Sequence, residues 1–198
     1  MAESGAEKRP LPVGAKGIRS SGWWGMCMLI FTEASLFGYL LLSYYYLWTQ
    51  ARQAWPPEGL LRLGLSGANT AILLSSSVFV FLAERGVRGG RIKNAAFWLS
   101  AAIAAGGAFI AIQLREWRDK GYGLADNLYG SLYFTITGFH MLHVAAGIAV
   151  LAFLLLWTLL GYFDSRRYEA VSIGGLYWHF VDAVWLAIFS TFFLVPYL

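Results

Sequence analysis

Charge is what this chain has least of. Only 13% of its 198 residues are Asp, Glu, Lys or Arg, against about a quarter in an ordinary soluble domain. That shortage argues against a soluble enzyme. With 58% hydrophobic and 17% aromatic residues, it also excludes a disordered chain. Cysteine is nearly absent: Cys27 stands alone inside an apolar run, which excludes a disulfide framework and a thiolate metal cluster. Proline occurs five times and, apart from Pro196 near the end, stays out of the apolar runs. Glycine-rich phosphate loops, a nucleophile elbow and a metalloprotease helix motif are all missing. The chain has no internal repeat, no low-complexity tract and no sign of a second domain.

What the chain does have is five long apolar runs and a mean hydropathy of +0.56. Crossing the hydrocarbon core takes about 20 apolar residues at 1.5 Å each. The runs cover about 23–48, 66–82, 95–114, 129–160 and 175–198. They are continuous rather than alternating, so they predict helices and not barrel strands. The expected fold class is therefore an all-α integral membrane protein, a bundle of five transmembrane helices over residues 23–198. The fourth run is long enough to require tilt or protrusion. Pro56 and Pro57 break any helix in the first loop.

Residues 1–22 form an expected N-terminal tail, basic through Lys8, Arg9, Lys16 and Arg19 and irregular through Pro10, Pro12 and Gly14. It does not read as a cleavable signal, because the apolar run after it is about twice the length of a signal core. The tail, the 83–94 loop (Arg85, Arg88, Arg91, Lys93) and the 161–174 loop (Arg166, Arg167) would lie on one side with ten Lys and Arg. Arg52, Arg62, Arg115, Arg118 and Lys120 leave five for the other. The excess predicts a cytoplasmic N-terminus and a C-terminus outside. The net charge of +4 is thus a topology signal, and no nucleic-acid partner is implied.

Aromatic residues gather near the run ends, at Trp23, Trp24, Tyr44 to Trp48, Trp117, Tyr129, Tyr177 and Trp178, and are expected at headgroup level. The third run is rich in small residues, Ala101, Ala102, Ala104, Ala105, Gly106, Gly107 and Ala108. These admit close approach of another helix, either within the chain or at a subunit interface. Asn69, Thr70 and Ser75 to Ser77 make the second helix mildly polar, which interhelical hydrogen bonding explains. Glu116, Arg118 and Asp119 are expected to form exposed pairs past the third helix, and Asp126 or Asn127 to cap the fourth.

An ionisable group at bilayer depth costs about 2.5–3.5 kcal/mol on insertion scales, so it faces a partner. Five such groups stand out: Glu33 in the first helix, His140 and His143 in the fourth, and His179 and Asp182 in the fifth. At 1.5 Å per residue Glu33 lies about 15 Å deep from one side and His140 about 16 Å from the other. Depth therefore allows a Glu33–His140 pair and a His143–Asp182 pair. His140 and His143 share a face of one helix and cannot bind opposite sides of one haem iron. A zinc or di-iron site would want Glu-x-x-His or denser carboxylates. Two roles remain open: a proton relay, and a hydrogen-bonded network that holds helices in register, the second being favoured.

Three stretches carry a resemblance. TEASLFGYLLLSYYYLW combines an intramembrane acid with an aromatic-rich helix. IQLREWRDKGYGLADNLYGSLYFTITGFHMLHVAAG holds Q-x-x-E-[WY], Y-G-S and G-x-H-x-L-H-V, and YWHFVDAVWLAIF holds Y-W-H-F-x-D-x-V-W. Together, in this order over residues 23–198, they resemble subunit III of the haem–copper oxidases. The resemblance implies an accessory subunit without haem or copper of its own in a proton-pumping terminal oxidase of aerobic respiratory electron transport. Haem and copper would sit on its partners, catalytic subunit I and subunit II. The subunit would stabilise the catalytic one, bind phospholipid and support proton uptake, in the bacterial inner membrane. The family's acid falls on Glu33, its helix-four histidines on His140 and His143, and its terminal signature on His179 and Asp182.

Longer members have seven helices, and this chain starts where their third would be. The removed pair forms one wall of the family's lipid cleft, leaving an open groove or a place for another subunit. Arg85, Arg88, Arg166 and Arg167 are candidate contacts for anionic lipid heads. Quinol oxidase and nitric oxide reductase accessory subunits are alternatives within the family. A self-contained proton or ion transporter is the alternative of another class, although inverted repeats and broken helices are not apparent.

Overall fold

The computed structural model describes residues 20–51, 55–56, 63–163 and 167–197. Five helices follow one another: α1 Ser21–Gln50, α2 Leu63–Arg88, α3 Ile92–Arg118, α4 Leu128–Leu159 and α5 Glu169–Phe189. A π turn at Ser190–Leu194 and a 3-10 turn at Val195–Tyr197 continue α5. All five are long and apolar enough to span a bilayer, and among the described residues there is no strand. The tail, except Ser20 to Gly22, lies outside the described residues, as do Arg52, Arg62, Pro57 and Arg166. Ser21 and Gly22 already belong to α1.

The helices overrun their apolar cores. α2 extends to Arg88 and α3 begins at Ile92, well beyond 82 and before 95. Hydropathy marks where side chains meet hydrocarbon, whereas a helix ends where its backbone finds caps. Ser20 Oγ accepts from Trp23 N–H at 3.3 Å to start α1, and Asn127 Oδ1 accepts from Gly130 N–H at 2.6 Å to start α4. The α2 and α4 ends use one device. Gly90 (φ +70) and Gly161 (φ +76) take the left-handed conformation. Arg91 N–H then returns to Gly86 O at 2.8 Å, and Tyr162 N–H to Trp157 O at 3.0 Å. This is the Schellman closure, which a Cβ would strain.

α2 and α3 form a tight hairpin, α4 packs on α3, and α5 packs on both α4 and α2. α1 lies outside this four-helix core against α5 and α4, burying only Phe37 and Tyr44. The core is organised around Trp178, which is fully buried. A Cβ at Gly106 of α3 would lie 2.8 Å from the Trp178 ring, and one at Gly147 of α4 also 2.8 Å. The small residues of α3 therefore divide: Ala102 and Gly106 admit an intramolecular neighbour, while Ala104, Gly107 and Ala108 face outward.

Tyr44, Tyr129, Tyr177 and Trp178 depart from the headgroup expectation, since all four are buried in the bundle. Nearness to a run end does not decide which way a ring points. Trp24 and Tyr46 do remain exposed. Near the end opposite the α2–α3 turn, Tyr44 packs edge-on against Trp55, Tyr129 and Phe192 with ring centroids 4.7–6.3 Å apart. The π turn lets Thr191, Phe192 and Phe193 all point inward.

The Trp178 ring, wedged between Gly106 and Gly147, generates a paired prediction. Gly147→Val should destabilise the bundle by about 1–3 kcal/mol, as overpacking does. Gly107→Ala, with nothing within 4 Å, should be neutral or stabilising by up to about 1 kcal/mol. Thermal unfolding of the two purified variants against wild type measures both.

Candidate functional site

Glu33 lies in the middle of α1 and His143 in the middle of α4. The structure joins these two: His143 Nε2 lies 2.9 Å from Glu33 Oε2, with 13% and 27% of their side chains exposed. On its other side His143 Nδ1 lies 2.6 Å from the Phe139 carbonyl. The Tyr177 hydroxyl of α5 donates to the His143 carbonyl at 3.4 Å. Phe37 packs edge-on against the His143 ring, centroids 5.0 Å apart.

Glu33 therefore pairs with His143 and not with His140. Depth arithmetic gives height but not azimuth. Residues three apart on a helix point about 60° apart, enough to aim His143 at α1 and His140 into the bundle. His140 is fully buried. It stacks on Trp185 at 5.0 Å and meets the edges of Phe109 at 5.8 Å and Phe37 at 6.3 Å. It makes no side-chain hydrogen bond within the described residues.

Asp182 does not reach His143 either. The α5 face that carries Trp178, Asp182 and Trp185 turns toward α2, because positions i, i+4 and i+7 share one face. Trp178 Nε1 donates to Ser76 Oγ at 2.8 Å, and Trp185 Nε1 to Thr70 Oγ1 at 2.9 Å. Between them Ser77 Oγ bridges His179 Nδ1, at 2.8 Å, and Asp182 Oδ2. Near the α2–α3 turn, Ser172 of α5 joins Glu84 and Arg88 of α2. The hydroxyls of α2 thus form a polar seam with α5. The signal was in the sequence, at Thr70, Ser76 and Ser77, but their partners were not.

A second polar layer was missed. Glu116 is buried inside α3 rather than exposed past its end. It accepts from Ser66 Oγ at 2.8 Å and pairs with Lys120 at 3.4 Å. Gln113 Nε2 donates to the Tyr133 hydroxyl at 3.3 Å, and Asn69 Nδ2 to the Phe109 carbonyl at 3.3 Å. Residues 113 and 116 share one face of α3, and 66 and 69 share one of α2. That double i, i+3 spacing was the available clue. Arg118 and Asp119 are exposed, as expected.

Of the candidate lipid contacts, Arg85 is exposed with its guanidinium 5.6 Å from the Phe81 ring centroid. Arg88 pairs with Glu84 at 2.5 Å and lies 4.8 Å from the Tyr168 ring centroid. Arg167 helps to line a cavity of about 660 Å³ with Trp157, Tyr162, Phe163, Glu169 and Ala170. Among the described residues no three His, Cys, Asp or Glu side chains gather as metal ligands would. Among the described residues the interior polar groups gather chiefly at Glu33–His143, along the α2–α5 seam and in the Glu116 layer, the last two meeting where Thr70 Oγ1 donates to the Ser66 carbonyl at 2.8 Å.

Comparison with known proteins places this arrangement. The family model for cytochrome c oxidase subunit III matches residues 12–197. Cytochrome c oxidase subunit 3 of Thermostichus vulcanus is 30% identical over 174 residues, covering 86% of each chain. The protein of the same name from Synechocystis is 33% identical over 176 residues, 87% of this chain and 75% of its own. That from Danio rerio is 35% identical over 185 residues, 90% and 69%. With five spanning helices and a match running almost end to end, the chain belongs to the cytochrome c oxidase subunit III family.

Proposed function

We propose that this chain is a cofactor-free accessory subunit of a haem–copper terminal oxidase, packed beside catalytic subunit I with subunit II in the same complex. Haem, copper and the reduction of oxygen to water belong to those partners. The family match over residues 12–197 carries this reading. The chain sits in the bacterial inner membrane with the segment before α1 as a cytoplasmic tail, the helices from Ser21 onward as the membrane domain and its C-terminus outside, as the ten-to-five distribution of Lys and Arg favours. Glu33, His140, His143, His179 and Asp182 serve structure first and proton uptake second. A transporter would want a continuous polar path. The aromatic surroundings of His140 between the Glu33 pair and the α2–α5 seam favour a scaffold instead.

A role in phospholipid contact is supported by exposed arginines. Arg85 and Arg167 are exposed near the ends of α2 and α5 and suit anionic headgroups, with Arg166 beside them in sequence. Arg88 also pairs with Glu84 and contacts Ser172 and Tyr168, and so holds α2 to α5 as well.

Affinity purification of the tagged chain from its native membrane tests the assignment. The expected eluate contains haem-bearing larger subunits, while the chain separated from them shows no Soret band. A lone oligomer that moves ions would overturn it. Glu33→Ala should leave initial oxygen consumption within about twofold of wild type, as for a residue outside the reacting site, but shorten the enzyme's working life; oxygen-electrode traces followed to inactivation measure both. Replacing Arg85 and Arg167 together by Gln should lower the anionic phospholipid that co-purifies, read by mass spectrometry of the extracted lipids.

A further inference from the structure

Glu33 and His143 are tied by two contacts that between them count protons. The first is His143 Nδ1 to the Phe139 carbonyl, at 2.6 Å. A backbone carbonyl only accepts, so Nδ1 carries a hydrogen and donates it. The second is His143 Nε2 to Glu33 Oε2, at 2.9 Å, which requires one hydrogen between two atoms that each hold a lone pair.

We infer that Glu33 and His143 form a one-proton binding site, in which His143 Nδ1–H is committed to the Phe139 carbonyl and a single further proton lies between His143 Nε2 and Glu33 Oε2. Two arrangements satisfy the geometry. Nε2–H donates to a carboxylate, or a carboxyl O–H donates to a bare Nε2. Passing from one to the other breaks an N–H bond as an O–H bond forms, and needs no other reactant. Both arrangements have zero net charge. Removing the proton leaves two lone pairs facing each other and an uncompensated carboxylate at bilayer depth, where charge is poorly tolerated.

The surroundings offer little else to balance that charge. On α4, His140 lies one turn away and stacks on Trp185 instead. On α5, the Tyr177 hydroxyl reaches the His143 carbonyl rather than its ring. Among the described residues the one ion pair made by Glu33 is with His143. The consequence falls on α1, which buries only Phe37 and Tyr44. Among the described residues, further polar links lie toward its ends, Ser20 N–H to Glu169 and Tyr45 to Thr191 among them. The shared proton is therefore the polar link between the middle of α1 and α4, beside the packing of Phe37 on the His143 ring. The inference deepens the polar-network part of the proposed function and rests on the chain spanning a membrane.

The test reads protonation directly in the reconstituted complex, labelled with ¹⁵N-histidine and ¹³C-glutamate, by solid-state NMR. His143→Asn identifies the signals by difference. At neutral pH, Nδ1 should be protonated, and one but not both of Nε2 and the Glu33 carboxyl should carry a proton. In Glu33→Gln the side-chain amide donates in place of the proton, so Nε2 should become a bare acceptor. Backbone amide exchange in the middle of α1 should then match wild type, whereas Glu33→Leu should speed it about tenfold, as loss of a charge-assisted hydrogen bond would.

A carboxylate beside a bare Nε2, or an imidazolium that survives Glu33→Gln, overturns the proton count and leaves the family assignment standing. If Glu33→Leu does not assemble, the wild-type and Glu33→Gln spectra still decide. A chain that travels without oxidase subunits overturns the accessory-subunit reading instead, and the same spectra recorded on it settle the count.

Discussion

A polar side chain held in hydrocarbon has no water to fall back on, so it is stabilised by meeting another polar group, and those meetings help decide how the helices are arranged; His140, which meets aromatic rings instead, is the exception. Helix backbones satisfy themselves. What remains is a limited set of side-chain groups, and in this bundle most of them lie where two helices touch. The α2–α5 seam shows the rule most fully. Thr70, Ser76 and Ser77 supply hydroxyls to Trp185, Trp178, His179 and Asp182. A one-residue slip of α5 along α2 would break the whole set, so the seam sets register.

These bonds are individually modest. Interhelical hydrogen bonds in membranes average about 0.6 kcal/mol, because the unfolded chain in the bilayer also finds partners. Cohesion must come mainly from close packing, and the wedge supplies it: Trp178 lies between Gly106 and Gly147, where even a methyl group would collide. The indole serves both purposes, since its ring fills the space between α3 and α4 while its Nε1 reaches Ser76 of α2. One residue of α5 thereby ties the four-helix core together.

α1 follows a different logic. It presents Phe31, Tyr39 and Leu42 to its surroundings, each about 70% exposed, and it is joined to the core at few points. Glu33 is the most costly group on that helix to leave without a partner, and His143 is the one that meets it. A helix attached this way keeps its outer face available to lipid or to neighbouring subunits. That arrangement suits a subunit whose chemistry resides on other chains.

The number and type of the spans were legible in the sequence, because a continuous apolar run long enough to cross a bilayer has one stable conformation there. The polar residues worth watching were legible too, as were the motifs that resemble the oxidase subunit, since an acid or imidazole in such a run stands out by composition alone. Helix ends were less so: Glu84, Arg88 and Ser172 extend α2 and α5 past their apolar cores. The partners were least legible. Height along a helix follows from counting residues, but azimuth follows from which face packs, and that depends on where Trp178 finds its two glycines. Sequence by itself determined that five helices cross the membrane carrying buried acids and imidazoles. Only the tertiary structure decided that Glu33 meets His143, that Asp182 meets Ser77 and that Glu116 lies inside, because helix rotation is set by packing among all the helices at once.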